Sequence, residues 1–87
     1  MLMSLDVLKE SARVTGVKQV TKALKKGQVR CVFLAEDADA QILLSLAELA
    51  GRQGVPVERI GTMKELGRAA GIEVGAAAAA ALKVPPR

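Results

Sequence analysis

The residues of this chain best suited to chemistry are lysines. Lys18, Lys22 and Lys25 recur at i, i+4 and i+7, which lines them along one face of a helix, and Lys26 follows directly. An ammonium donates hydrogen bonds and carries charge but accepts nothing, so the set suits anions and above all phosphates. Val17, Val20 and Leu24 recur at i, i+3 and i+7 on the other side. Thr15 to Gly27 therefore reads as a short amphipathic helix between two glycine breaks, with an oily face that packs and a basic face that stays in water. Gly16 opens it. The backbone N–H groups of its first turn, beside Lys18 and Gln19, make a natural seat for a phosphate. The plainer alternative is a solvated lysine face of the kind many soluble helices carry.

Other chemistries have little to work with. The chain has no histidine, which removes the commonest general base, the commonest metal ligand and every Ser-His or Cys-His arrangement. Its one cysteine, Cys31, cannot form an internal disulfide and lies in an apolar run, where a buried, inert thiol is expected. Glu36, Asp37 and Asp39 sit together where a strand ends, and a turn with a helix cap accounts for them without catalysis. The residues imply neither enzyme, metal site nor cofactor.

Charge is unevenly placed. Between Ser11 and Ala35 there is no acid, while Arg13, Lys18, Lys22, Lys25, Lys26 and Arg30 supply six of the thirteen basic residues. From Glu36 onward seven acids face six bases. One basic sector on a nearly neutral body is the electrostatic footprint of a phosphate-binding surface. Eighty-seven residues, 51% of them hydrophobic, point to one small domain with a single core. The longest run without a charge, Val74 to Leu82, falls far short of the ~20 residues needed to span a bilayer. An acid at the sixth position and the lack of a basic, then apolar, leader argue against a secretory signal, so a cytoplasmic location is expected.

The elements that must position the lysines follow from the rest of the pattern. Ser4 can cap a first helix over Leu5 to Ala12, and Arg13 to Thr15 is a brief extended link able to add a small strand. Val29 to Ala35, nearly all apolar and rich in β-branched residues, reads as a central strand buried on both faces. Asp37 or Asp39 is the N-cap of the longest helix, Ala40 to Gln53, whose rows Ile42-Leu46-Leu49 and Leu43-Ala47-Ala50 give a wide buried stripe. Gly54 ends it, and Val57 to Ile60 follows as a short strand. Thr62-x-x-Glu65 has the form of a capping box for a helix over Met63 to Ala70, which stops at Gly71. The alanine-rich stretch from Gly75 to Leu82 has helical propensity, yet a strand there completes the alternation, and small side chains would let helices close on it from both faces. Strand is the reading adopted. Lys83 to Arg87 is a proline-containing tail. The whole predicts a three-layer α/β/α sandwich around a small sheet.

Several segments together resemble the kink-turn-binding ribosomal-protein family, and most closely its short bacterial members. They are Gly16-Val17-Lys18-Gln19-Val20-Thr21-Lys22-Ala23 with Gly27, then Leu34-Ala35-Glu36-Asp37-Ala38-Asp39, then Glu65-Leu66-Gly67-Arg68-Ala69-Ala70-Gly71-Ile72-Glu73-Val74-Gly75. The resemblance implies a four-stranded mixed sheet with the alanine run as its last strand. It also implies binding to kink-turn RNA, a helix–internal loop–helix element with sheared G·A pairs and a flipped-out nucleotide. Family members with the pattern Gly-Thr-Asn-Glu-x-x-Lys use the Asn, Glu and Lys at the G·A pairs; those places hold Lys18, Gln19 and Lys22 here. A second, apolar loop over the flipped nucleotide corresponds to Ile72, Glu73 and Val74. Lysine for asparagine loses the acceptor, and glutamine for glutamate loses a charge and gains donors, so the site becomes more electrostatic.

The expected function is therefore recognition and stabilisation of kink-turn RNA by a single domain spanning 1–87 and acting as a monomer. The RNA would be ribosomal RNA or a structured mRNA element. The expected contacts are Gly16, Lys18, Gln19, Lys22, Lys25, Lys26, Ile72, Glu73 and Val74. The alternative is a protein-interaction module on the same fold whose lysine face docks an acidic ribosomal or ribonucleoprotein partner.

Overall fold

A computed structural model of the protein describes residues 12–83. In chain order its elements are β1 (Arg13–Thr15), α1 (Val17–Lys25), β2 (Val29–Ala35), α2 (Ala40–Arg52), β3 (Val57–Ile60), α3 (Met63–Ala69) and β4 (Ala78–Leu82). The predicted helix from Leu5, with its Ser4 cap, lies outside the described residues. Ala12 does not close a helix: its carbonyl accepts from the Leu82 N–H at 2.8 Å and extends the sheet. Lys83, the residue after β4, donates its N–H to the Gln28 carbonyl at 2.8 Å.

The strands form one four-stranded mixed sheet in the order β1-β4-β2-β3. β2 and β3 are parallel, and β4 runs antiparallel to both β1 and β2. Helices α1 and α2 cover one face, where Val20, Leu24, Leu43 and Leu46 meet Val32, Leu34, Ala78 and Ala80. Helix α3 covers the other, where Leu66 and Ala69 meet Cys31, Phe33, Ala79 and Ala81. This is the three-layer α/β/α sandwich that the alternating pattern predicts. Phe33, the only aromatic residue, is fully buried in the second layer and so offers no stacking platform to a nucleobase.

The alanine run is a strand, though a shorter one than Gly75 to Leu82. It pairs only from Ala78, because Gly75 to Ala77 are spent reaching the sheet, with the Ala76 N–H on the Met63 carbonyl at 2.9 Å. Helical propensity loses here because the slot between β1 and β2 supplies partners on both sides. Ala78 to Ala81 are all buried, and methyl side chains let the two helical layers close on β4. A shift in register between Val29 and Cys31 turns Arg30 outward while Val29 stays in the core, as a bulge does.

The caps decide where helices start. Asp39, not Asp37, caps α2: its carboxylate accepts from Gln41 N–H at 2.8 Å and Ile42 N–H at 3.3 Å. Asp37 instead reaches across to α3 and accepts from the Met63 N–H at 2.8 Å, beside the Thr62 hydroxyl that accepts from Glu65 N–H at 3.0 Å. The buried stripe of α2 is narrower than its two predicted rows. Leu43, Leu46 and Ala50 are buried, Ile42, Ala47 and Leu49 are half-buried, and Leu44 is 67% exposed.

Candidate nucleic-acid interface

Strands β1, β2 and β3 run the same way, because β1 and β2 are both antiparallel to β4 and β3 is parallel to β2. All three helices therefore begin at one rim of the sheet, and the loop from Gly71 to Ala77 enters β4 at that same rim. Backbone bonds tie the rim together: Gly16 N–H to Ala78 carbonyl at 2.9 Å, Ala35 N–H to Ala77 carbonyl at 2.9 Å, and Glu36 N–H to Ile60 carbonyl at 2.7 Å. The topology thus brings the start of α1 and the end of the 71–77 loop, far apart in sequence, to the same rim.

The three helix starts differ in one respect that matters for an anion. A helix N-terminus carries about half a positive charge on unsatisfied N–H groups. Carboxylates and a hydroxyl neutralise it at α2 and α3, as described above. Helix α1 has no side-chain cap and no acid in its first turn. Its cap residue is Gly16, at φ 93° and ψ 148°, a backbone conformation that side-chain-bearing residues rarely adopt. The first-turn N–H groups of α1 are left for solvent or a ligand.

Lys18, Gln19, Lys22, Lys25 and Lys26 are all exposed. Among the described residues the ion pair is Glu48 with Arg52 at 3.8 Å, so no carboxylate engages the lysines of this helix. Lys22 and Lys25 lie in the last turn, where they offset the negative end of the helix dipole, and Lys26 is the C-cap residue. Lys18 and Lys25 follow the crest of α1. Gln19, Lys22 and Lys26 lean toward β1, where with Gln28 they rim a groove of about 160 Å³ above Val14 and Leu82. Gln28, on the wall of this groove, is not among the residues expected from the sequence. Only its place just after the helix-ending Gly27 hinted at it. On the other side of α1 a larger groove of about 310 Å³ against α2 is lined by Val17, Thr21, Ile42 and Leu49 and has no charged wall. That groove is the larger of the two beside α1, but the charge and the open N–H groups lie elsewhere.

The loop after α3 splits the predicted apolar contact into two different roles. Ile72 is half-buried and packs against the core beneath α3, with its N–H on the Gly67 carbonyl at 3.0 Å. Val74 is 71% exposed, and Glu73 is exposed as well. Only Val74 presents an apolar side chain outward. The loop lies tight on α3: a Cβ on Gly67 would overlap the Val74 carbonyl oxygen, and one on Gly75 would stand 3.1 Å from the Met63 Cβ.

Cys31 is fully buried, and burial foremost, with Glu58 adding, pushes its thiol from an ordinary 9.0 up to about 11, against a smaller lowering by Arg30. It is inert at neutral pH. Among the described residues no group of His, Cys, Asp and Glu could hold a metal, and no helix is long and apolar enough to cross a membrane.

The chain is similar to known proteins in both sequence and fold. The RNA-binding protein YbxF of Geobacillus stearothermophilus is 44% identical over 77 residues, covering 88% of this chain and 94% of that protein. The large ribosomal subunit protein eL8 of Halobacterium salinarum is 44% identical over 81 residues, 91% of this chain and 68% of its own. Among solved structures, the Giardia lamblia 15.5kD RNA binding protein superposes with a TM-score of 0.85 at 30% identity, covering 92% of this chain and 71% of that one. These relatives are named for RNA binding and for the ribosome, not for catalysis. The model of the ribosomal protein L7Ae/L30e/S12e/Gadd45 family matches residues 4–85, and with the fold and these relatives it makes the chain a member of that family.

Proposed function

We propose that this protein binds RNA and stabilises its kink-turn form, acting in the cytoplasm as a monomeric, single-domain factor spanning 1–87. The observation that carries the reading is the uncapped N-terminus of α1, which has Lys18 in its first turn and lies at the rim where the loop bearing the exposed Val74 enters β4. In this reading Lys18 donates to guanine O6 or N7 or to a phosphate, and Gln19 reads a base edge with its amide. Lys22, Lys25 and Lys26 offset the repulsion between phosphates that a kink brings together. Val74 gives an unstacked base an apolar contact, with Ile72 anchoring the loop beneath it and Glu73 at its edge. Such a protein need not bend RNA by force. By binding the kinked form and not the extended one, it shifts the population toward the kink.

The relatives favour RNA over an acidic protein partner as the occupant of the lysine face. A ribosomal relative makes ribosomal RNA a natural target, and a structured mRNA element is the other. The test is energy transfer between dyes on the two arms of a kink-turn RNA at low magnesium. Adding protein should raise transfer, and Lys18→Ala should require several-fold more protein to do so. A protein that binds the RNA without raising transfer, or that does not bind it, overturns the reading.

A further inference from the structure

We infer that Arg13 is a positioning residue that locks the Ile72–Val74 loop in register with the N-terminus of α1. The inference rests on the RNA reading above for its consequence, and on the hydrogen bonding alone for its geometry. In the β1–β4 ladder Arg13 sits opposite Ala81, which faces α3, so its side chain leaves the strand on that face. There its Nε–H donates to the Ala70 carbonyl at 2.8 Å, across 57 residues of sequence. Ala70 is the C-cap of α3, and its carbonyl is one of those a helix end leaves without an intrahelical partner.

The guanidinium also lies against the next residue. A Cβ on Gly71 would come within 2.9 Å of Arg13 Nη2, and Gly71 has a φ of 83°. Glycine suits position 71 for its backbone conformation, whereas the arginine tip that a Cβ would meet is the far end of a flexible side chain that can shift aside. The far end of the loop is held by the same strand, where Gly16, directly after β1, donates to Ala78. β1 therefore grips the loop before Ile72 and after Val74, and it delivers Lys18 and Gln19. These bonds fix both ends of the loop, Ala70 and Ala78, relative to β1. Holding both in place beforehand lowers the ordering cost of binding.

Arg13→Met keeps the length of the stem and removes the donors; Arg13→Lys keeps the charge and a donor group but loses the planar fork. In the free protein Arg13→Met should speed amide exchange at Ile72 and Ala76, whose N–H groups bond the Gly67 and Met63 carbonyls, while leaving Val32 and Phe33 as protected as in the wild type. It should weaken kink-turn RNA about fivefold, the scale of one lost hydrogen bond, with the salt slope unchanged. Val74→Ala should then cost less in the Arg13→Met background than alone, whereas Lys22→Ala, acting outside the loop, should cost the same in both. Arg13→Lys should recover part of the loop protection.

Wild-type exchange at Ile72 in Arg13→Met overturns the inference. So does a salt slope reduced by about one phosphate with the loop still protected, which would make Arg13 a direct contact. Equal acceleration of core and loop amides overturns it too, since the role would then be global stability. If wild-type protein fails to bind kink-turn RNA, the functional reading falls while the exchange comparison still decides the clamp.

Discussion

Removing one ammonium from α1 separates an RNA surface from an ordinary solvated helix face. Lys22 is exposed, makes no ion pair among the described residues and rims the groove with Gln19 and Lys26, so Lys22→Ala should change stability by no more than about 0.5 kcal/mol. Its contribution to binding is another matter. An ammonium about 4 Å from a phosphate gains about 1 kcal/mol in bulk water and about 4 kcal/mol near a protein surface. The loss in affinity should be fivefold at least. The salt dependence is more diagnostic than the affinity. If Lys22, Lys25 and Lys26 each neutralise one phosphate, a slope of about −0.9 per contact predicts a roughly 40-fold loss for the wild type between 50 and 200 mM salt. With two contacts left, the variant should lose only about 12-fold over the same range. Fluorescence anisotropy on a labelled kink-turn RNA at four salt concentrations measures both, and a urea melt checks the fold. Parallel salt dependences with equal affinities would refute the assignment of this face to the RNA backbone.

The other outcomes test the loop, the core and the thiol. Val74→Ala should leave the urea midpoint unchanged and weaken RNA about fivefold, as loss of about 1 kcal/mol of apolar contact requires. Ile72→Ala should instead cost about 1–2 kcal/mol of stability, below the ~2–5 kcal/mol of a fully buried site, because Ile72 is only half-buried. Equal stabilities for the two variants would show that the loop is not oriented as described. Ala79→Val places two extra carbons opposite Phe33 in a fully buried strand and should destabilise by about 1–3 kcal/mol, read from the same melt. The Cys31 thiol, raised to about 11 in the folded protein, makes stability fall as pH rises from 9 to 11, because the unfolded chain loses this proton first. Relative to Cys31→Ala the decline should reach about 3 kcal/mol, and identical pH profiles would show that burial does not hold the thiol neutral.

The rim also shows why local signals carried so far. The cap of α2 by Asp39, the Thr62 hydroxyl on Glu65 and the two-faced pattern of α1 are interactions within one turn, so residues three or four apart suffice to specify them. β2 was legible for a related reason. A strand buried on both faces has no polar alternation to maintain, and Val29 to Ala35 has its one polar residue, Arg30, at the bulge. The candidate lysines could be named from spacing, because a basic helical face needs only its own helix to exist.

What the sequence determined by itself, then, is every feature whose partners lie within a few residues: element types, most caps, and the division of α1 into an oily and a basic side. The tertiary structure alone decided what depends on distant partners. Asp37 serves α3 from 26 residues away, and Arg13 reaches Ala70 from 57. The alanine run, read as a strand from the alternation of elements, starts pairing only at Ala78, where β1 and β2 flank it. Ile72 turns in while Val74 turns out, since Gly67 and Gly75 let the loop lie flat on α3. Gln28 joins the lysine groove because the chain folds back under α1 into β2. Propensity and periodicity act along the chain, whereas orientation in a loop and the meeting of two segments at a rim are set by packing across the sheet, which no single stretch contains.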